Sequence, residues 1–197
     1  MVDIYPNRKD MIGLAPKYGV YAEIGVFEGK FSNDIISILQ PRQLVLIDLF
    51  AGTMGSGDQD GNNFSFIELD TVYRNLTQIS ERYPGLRVLK GDSVESLATF
   101  ENDTFDMVYI DGDHSYEGCK RDLEICRKKV KDGGWIMGHD YEMNMEKAHR
   151  AYSFGVRQAV DEFCTTYGQK IVAKGMDGCV SYAIHLSKVP TDMLTNF

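Results

Sequence analysis

The sequence predicts an α/β fold, a mostly parallel sheet with helices on both faces. Three observations lead there. Short apolar runs alternate with longer stretches of helical periodicity, the pattern of βα units whose sheet is buried from both sides. Four successive runs end in glycine or an acidic residue, at Gly25, Asp48, Asp92 and Asp111, and open α/β sheets bind ligands at that carboxyl edge. The last two runs flank Gly175-Met176-Asp177-Gly178, which reads as a hairpin and adds an antiparallel strand at one side.

The elements follow in order. Residues 8–17 read as a short leading helix, 20–24 as a strand, and 31–39 as a helix stopped by Pro41. A second buried strand at 44–47 ends at Asp48. A helix over 64–82 carries Ile67, Val72, Leu76 and Ile79 on one face and is closed by Pro84-Gly85. Residues 86–89 form a third strand, 93–100 a short helix, and 107–110 the fourth strand. A helix over 116–130 leads to a fifth strand at 135–138, opened by Gly133-Gly134. The chain closes with a helix at 156–167 and two strands at 170–174 and 179–186. Seven strands result.

Two segments stand outside this alternation. The Gly-rich excursion at 51–63 follows the second strand directly, and loops of that length inside a compact domain are either functional or mobile. Residues 142–153 carry Arg150 and Tyr152, donors and an aromatic surface that suit a sugar as well as ordinary loop packing. Phe154 follows them.

Composition narrows the function classes. A length of 197 residues suits one domain, and 43% hydrophobic with 25% charged residues is that of an ordinary soluble protein. The formal net charge of -8 argues against a nucleic-acid partner, which needs a concentrated basic surface. The densest basic run, 127–131, falls at the end of a predicted helix and suits the negative end of its dipole. Cys119, Cys126, Cys164 and Cys179 are scattered without a CxxC pair, which fits a reducing, intracellular setting, and Cys119 and Cys126, seven apart on one helix face, read as core thiols. There is no apolar stretch of about 20 residues and no signal-peptide core. The start MVDIYPNRKD is compatible with a natural start or with a domain of a longer protein.

The chemistry concentrates where strands end. After the first strand comes Glu23-Ile24-Gly25-Val26-Phe27-Glu28-Gly29. Glycines at 25 and 29 allow a sharp turn and close approach to a ligand, but Phe27 breaks GxGxxG, so a ligand without a pyrophosphate is favoured. Asp48 is placed to accept from a ribose diol, or else serves as a turn carboxylate. Asp92, with Ser93 and Glu95 following, meets the adenine edge in a nucleoside reading and equally satisfies a capping box.

The fourth strand runs into Asp111, Asp113 and His114, and the fifth into His139 and Asp140. Carboxylates and imidazoles on two adjacent strand ends make a seat for a divalent cation. Asp113 also suits a helix start beside Ser115. His114 is the first choice of general base, since an imidazole titrates near neutral pH; Asp111 is the alternative. His149 and His185 read as structural.

These stretches, EIGVFEGKFS, LIDLF, LKGDSVESL, FDMVYIDGDHSYEGCKRDL and GGWIMGHDY, resemble the ordered motifs of class I S-adenosylmethionine-dependent methyltransferases. More narrowly they resemble the macrocin- and mycinamicin-type sugar O-methyltransferases. The resemblance runs from Tyr21 to Leu186, and the IDGDHSY and GGWIMGHDY pair is its specific part. It implies a Rossmann-like, seven-stranded fold, with the methionine part over Glu23, Gly25, Val26, Phe27 and Gly29. Ribose would lie on Asp48, and adenine near Asp92 and Ser93, with Asp111 beside the donor. It further implies magnesium or manganese on Asp111, His139 and Asp140. His139 departs from the family's usual Asp there.

The expectation is therefore O-methylation of a sugar hydroxyl, a deoxysugar such as rhamnose in a glycan or glycoside. The acceptor is a small molecule or glycan, with no nucleic acid and no membrane involved, and a homodimer is compatible with the sequence. Catechol-like diols are the alternative acceptors. A nicotinamide-dependent oxidoreductase and a non-catalytic nucleoside-binding module are rivals from other classes, the former opposed by the missing GxGxxG.

Overall fold

The computed structural model describes residues 1–56, 65–143 and 154–188. Its elements, in chain order, are β1 (Asp3–Tyr5), α1 (Arg8–Ile12), β2 (Val20–Ile24), α2 (Lys30–Leu39), β3 (Gln43–Asp48), β4 (Thr53–Ser56) and β5 (Ser65–Glu68). Next come α3 (Leu69–Ser80), β6 (Leu86–Lys90), α4 (Ser93–Ala98), β7 (Phe105–Ile110), α5 (Tyr116–Lys129) and β8 (Val130–Met143). The remainder is α6 (Val156–Tyr167), β9 (Ile171–Asp177) and β10 (Cys179–His185).

The main sheet has the order β1-β9-β10-β8-β7-β2-β3-β6. β2 pairs in parallel with both β3 and β7, and β10 runs antiparallel to β8 and β9. The chain winds outward from β2 through β3 to β6, then returns to β7 on the other side. That reversal opens a crevice at the carboxyl ends of β2 and β7.

Residue alternation along each strand splits the core in two. Ala22, Val45, Val108 and Ile136 face one layer with Leu123, Cys126 and Val160 from α5 and α6. Tyr21, Leu46, Tyr109 and Met137 face the other with Met11, Phe31 and Ile35 from α1 and α2. Successive side chains on a strand point to opposite faces, so a sheet covered on both sides must be apolar at every position.

The fold class matches the sequence reading, with corrections at its margins. Among the described residues the sheet has eight strands rather than seven. The addition is β1, which pairs in parallel with β9 through Asp3, Ile4 and Tyr5; three residues carry too little periodicity to announce a strand. The helix expected over 64–82 begins only at Leu69, because residues 65–68 pair with β4 as a small separate hairpin. The leading helix stops at Ile12 instead of 17, where the Gly13 N–H bonds back to Asp10. The fifth strand extends from Val130 to Met143, far beyond 135–138. Asp58 and Asp60 of the Gly-rich excursion, together with His149, Arg150 and Tyr152, lie outside the described residues.

The basic end of α5 falls in the helix's last turn as expected, with Arg127, Lys128 and Lys129 there, but it is not a wholly solvated face: Lys129 is buried and its Nζ donates to the Phe100 carbonyl at 2.6 Å. Cys119 and Cys126 are buried thiols, and burial pushes Cys119 up to about 12. His185 packs against Trp135 with ring centroids 4.7 Å apart.

Candidate active site

The loop after β2 is set by its glycines and by Asp48. Gly25 has φ +82°, and a Cβ there would sit 1.9 Å from the Asp111 carbonyl oxygen. Only glycine satisfies both the left-handed backbone and the close passage of β7. The Gly25 N–H donates to the Ile47 carbonyl and the Asp111 N–H to the Ile24 carbonyl, tying the loop to both neighbouring strands. Gly29, at φ +76°, starts α2.

Asp48 holds this loop in shape. Its Oδ2 accepts from the backbone N–H groups of Val26 (2.8 Å) and Phe27 (3.0 Å), and its Oδ1 from Phe50 (2.7 Å). A carboxylate has about four acceptor positions, so little more than one remains for a ligand. The turn-carboxylate role is thus present; any ribose contact would be additional to it.

Glu23 is 1% exposed and accepts from the Ser32 hydroxyl. Burial in the apolar interior is the largest cause of its pKa rising to about 8, so the carboxyl is protonated near neutral pH.

At the neighbouring strand end, Asp92 caps α4, accepting from the Val94 (2.9 Å) and Glu95 (3.1 Å) N–H groups, and pairs with Arg121 at 3.1 Å. Capping is therefore its visible function. Ser93 donates to Asp122, a buried acid on α5 that burial pushes up to about 6.

The polar cluster depends on a fault in the sheet. A regular strand would send His139 and Asp140 to opposite faces. Instead Asp140 adopts φ +57°, and the β8–β10 register shifts between Val180 and Tyr182. A bulge of this kind re-aims side chains beside functional sites, and left-handed backbone at a non-glycine residue is maintained only where the surroundings enforce it. Here it lets both residues reach Asp111. One ligand atom from each of Asp111, His139 and Asp140 lies within 4.8 Å of the others.

His139 Nδ1 is 3.1 Å from Asp140 Oδ1 and 3.9 Å from Asp111 Oδ1. His114 joins from the other side, its Nε2 3.1 Å from Asp140 Oδ2 and 3.4 Å from Asp111 Oδ1. Burial opposes the charged form of Asp140, yet His139 and then His114 outweigh it and lower its pKa. For His114 burial works downward, but Asp111 and Asp140 prevail and raise it. Asp113 accepts from the Ser115 N–H at 2.9 Å and belongs to the start of α5.

Sequence reasoning missed Arg8. From α1 it reaches Asp111 Oδ2 at 3.1 Å, lies 3.6 Å from Asp177 Oδ2, and sits 4.4 Å from the Phe31 ring centroid. No motif marks it, because only tertiary packing of α1 against β9 and α2 brings it to the site. Phe154, for which an acceptor platform and ordinary loop packing were equally open, stacks its ring on His114 with centroids 5.1 Å apart.

Arg8, Glu23, Gly25 to Phe27, Asp48, Asp92, Ser93, Asp111 and His114 border one cavity of about 910 Å³, whereas Gly29, His139, Asp140 and Phe154 are not among its lining residues. Its size suits a nucleoside-sized ligand with room for part of a second.

A family model described as a methyltransferase domain matches residues 22–141. No curated protein matched the chain in a sequence search. Solved structures share the fold at low identity. The N-methyltransferase NodS from Bradyrhizobium japonicum aligns at TM-score 0.61 and 12% identity, over 92% of this chain and 95% of that one. Fibrillarin from Aeropyrum pernix, with natively bound S-adenosyl-L-methionine, aligns at 0.58 and 12%, over 86% and 67%. An O-methyltransferase family protein from Burkholderia thailandensis aligns at 0.61 and 8%, over 91% of this chain but only 55% of that protein. The family match spans more than half of the chain and contains the glycine loop, Asp48, Asp92, Asp111 and Asp140. This chain belongs to the methyltransferase-domain family and is a class I S-adenosylmethionine-dependent methyltransferase.

Proposed function

We propose that the protein transfers the methyl group to a sugar hydroxyl, assisted by a divalent cation on Asp111, His139 and Asp140. One observation carries this reading: those three ligand atoms converge within 4.8 Å at the rim of the cofactor cavity. Two carboxylates and one imidazole suit magnesium or manganese, the nitrogen tilting the choice toward manganese. A bound cation would lower the pKa of an acceptor hydroxyl and fix its direction.

The chain's own groups do the rest. The donor's methionine part lies along Glu23 to Gly29, its ribose at Asp48 and its adenine by Asp92 and Ser93. Oxygen attacks the methyl carbon as the carbon–sulfur bond breaks, leaving S-adenosylhomocysteine. His114 takes the hydroxyl proton. Holding the two reactants in line supplies much of the rate, through effective molarities of about 10⁵ M or more.

The test is methyl transfer from labelled S-adenosylmethionine to a panel of rhamnosides and other glycosides, with catechols alongside. Chelator is expected to abolish turnover, and manganese or magnesium to restore it. Full activity in chelator would refute the metal role. Transfer to catechols alone would favour the second reading, for which the Phe154 ring on His114 is the supporting feature.

Glu23 supplies a further expectation. Its carboxyl, raised to about 8, is protonated in the free protein, whereas a cationic donor beside it favours the ionised form. Binding then releases a proton, and affinity rises with pH until about pH 8. Calorimetry in buffers of different ionisation enthalpy measures that release. Glu23→Gln should abolish it; an unchanged proton count in the variant contradicts the assignment. For stability the sign is opposite. Between the unfolded value near 4.5 and about 8 only the folded state holds this proton, so Glu23's contribution to stability falls as pH rises.

A further inference from the structure

The donor's methionine carboxylate needs a partner, and the glycine loop has few donors left for it. The N–H groups of Val26 and Phe27 are engaged by Asp48, Gly25's by Ile47, and Gly29's by Val26. Glu23 is itself an acid. Among the described residues, three lysine or arginine side chains line the cavity: Arg8, Lys30 and Arg121. Lys30 is paired with Glu28 and 76% exposed, and Arg121 is paired with Asp92 and 58% exposed. Arg8 is the most enclosed, at 26%.

Arg8 is also held in place. Its guanidinium faces Phe31, the second residue of α2, donates from Nη1 to Asp111 Oδ2, and has Nε 3.6 Å from Asp177 Oδ2. Gly175 makes its position attainable, since a Cβ there would lie 2.9 Å from the Arg8 backbone nitrogen. A guanidinium has five N–H donors, so these contacts leave some unspent, on a side chain that lines the same cavity as Glu23.

We propose that Arg8 binds the carboxylate of the donor's methionine moiety and makes the site selective for S-adenosylmethionine over sulfonium nucleosides lacking that carboxylate. The inference rests on the donor lying along Glu23 to Gly29. A planar guanidinium matches a carboxylate better than an ammonium does. Arg8 thereby links the cofactor to Asp111: one residue of the N-terminal helix touches both halves of the site.

The experiment titrates wild type, Arg8→Gln and Arg8→Lys with S-adenosylmethionine and with its decarboxylated analogue, with thermal denaturation confirming that each variant is folded. Wild type should prefer S-adenosylmethionine by about tenfold or more. Arg8→Gln should lose about 10- to 100-fold for S-adenosylmethionine, the range of a charge-assisted bond, while the analogue changes less than about threefold. Arg8→Lys should fall between. Equal weakening of both ligands overturns the proposal, because Arg8 would then act only through Asp111 or the fold. So does a wild type that does not discriminate. If wild type binds neither ligand, the donor placement fails with it.

Discussion

Asp111→Asn is expected to lower turnover by about 10³-fold while leaving S-adenosylmethionine affinity within about tenfold. The residue stands where three interactions meet. Its Oδ1 faces His114 and His139, and its Oδ2 accepts from Arg8. An amide keeps the shape but removes the charge, leaves one acceptor oxygen, and ligates a hard cation poorly. Arg8 would keep Asp177, 3.6 Å away. The pair with Asp111 is partly exposed, so the stability loss should be about 1 kcal/mol or less. Three measurements decide the matter: single-turnover rate, calorimetric donor affinity, and manganese binding by paramagnetic resonance. Near-normal turnover would remove Asp111 from the chemistry. A parallel collapse of donor affinity and rate would make it a cofactor-binding residue instead.

Gly25→Ala should be the most disruptive single methyl group in the site. The added Cβ meets the Asp111 carbonyl oxygen at 1.9 Å and the Gly112 nitrogen at 2.7 Å, at a backbone with φ +82°. Neither neighbour is a flexible side-chain tip, so β2 and β7 must separate at the crevice. Left-handed backbone alone costs about 1–2 kcal/mol at alanine, and the clash should bring the total to about 3 kcal/mol. Denaturant unfolding reads the stability, and donor binding should fall by at least about 100-fold, since the loop shapes that part of the cavity. Gly178→Ala is the matched control, with φ +99° and nothing within 4 Å of the added atom. It should lose only the conformational part and bind the donor normally. Equal effects at the two positions would mean that the contact with β7 does not matter.

The sheet was legible because its information is local. Val20 to Ile24, Gln43 to Asp48 and Phe105 to Ile110 are apolar along most of their length, and burial on both faces is what such strands require. The polar residues at their ends stand out against that background, which is why Glu23, Asp48, Asp92 and Asp111 could be singled out.

Roles were harder to read than positions. Asp48 was legible as an acid at a strand end, but the N–H groups of Val26 and Phe27 that it binds lie about twenty residues earlier. Asp92 fitted both capping and a ligand until its bonds to Val94 and Glu95 made the cap explicit. His139 and Asp140 are adjacent, and ordinary alternation would have separated them. Their convergence needs the bulge against β10 and the left-handed Asp140, which no periodicity encodes.

The sequence by itself determined the doubly covered, mostly parallel sheet and which strand ends carry ionisable groups, because apolar periodicity and glycine placement act within a few residues. Only the tertiary structure decided that β1 joins the sheet, that Arg8 enters the site against Asp111, and that His114, His139 and Asp140 meet there. Those outcomes arise from contacts between segments up to about 170 residues apart, where strand register and close backbone approach, not local propensity, set which atoms touch.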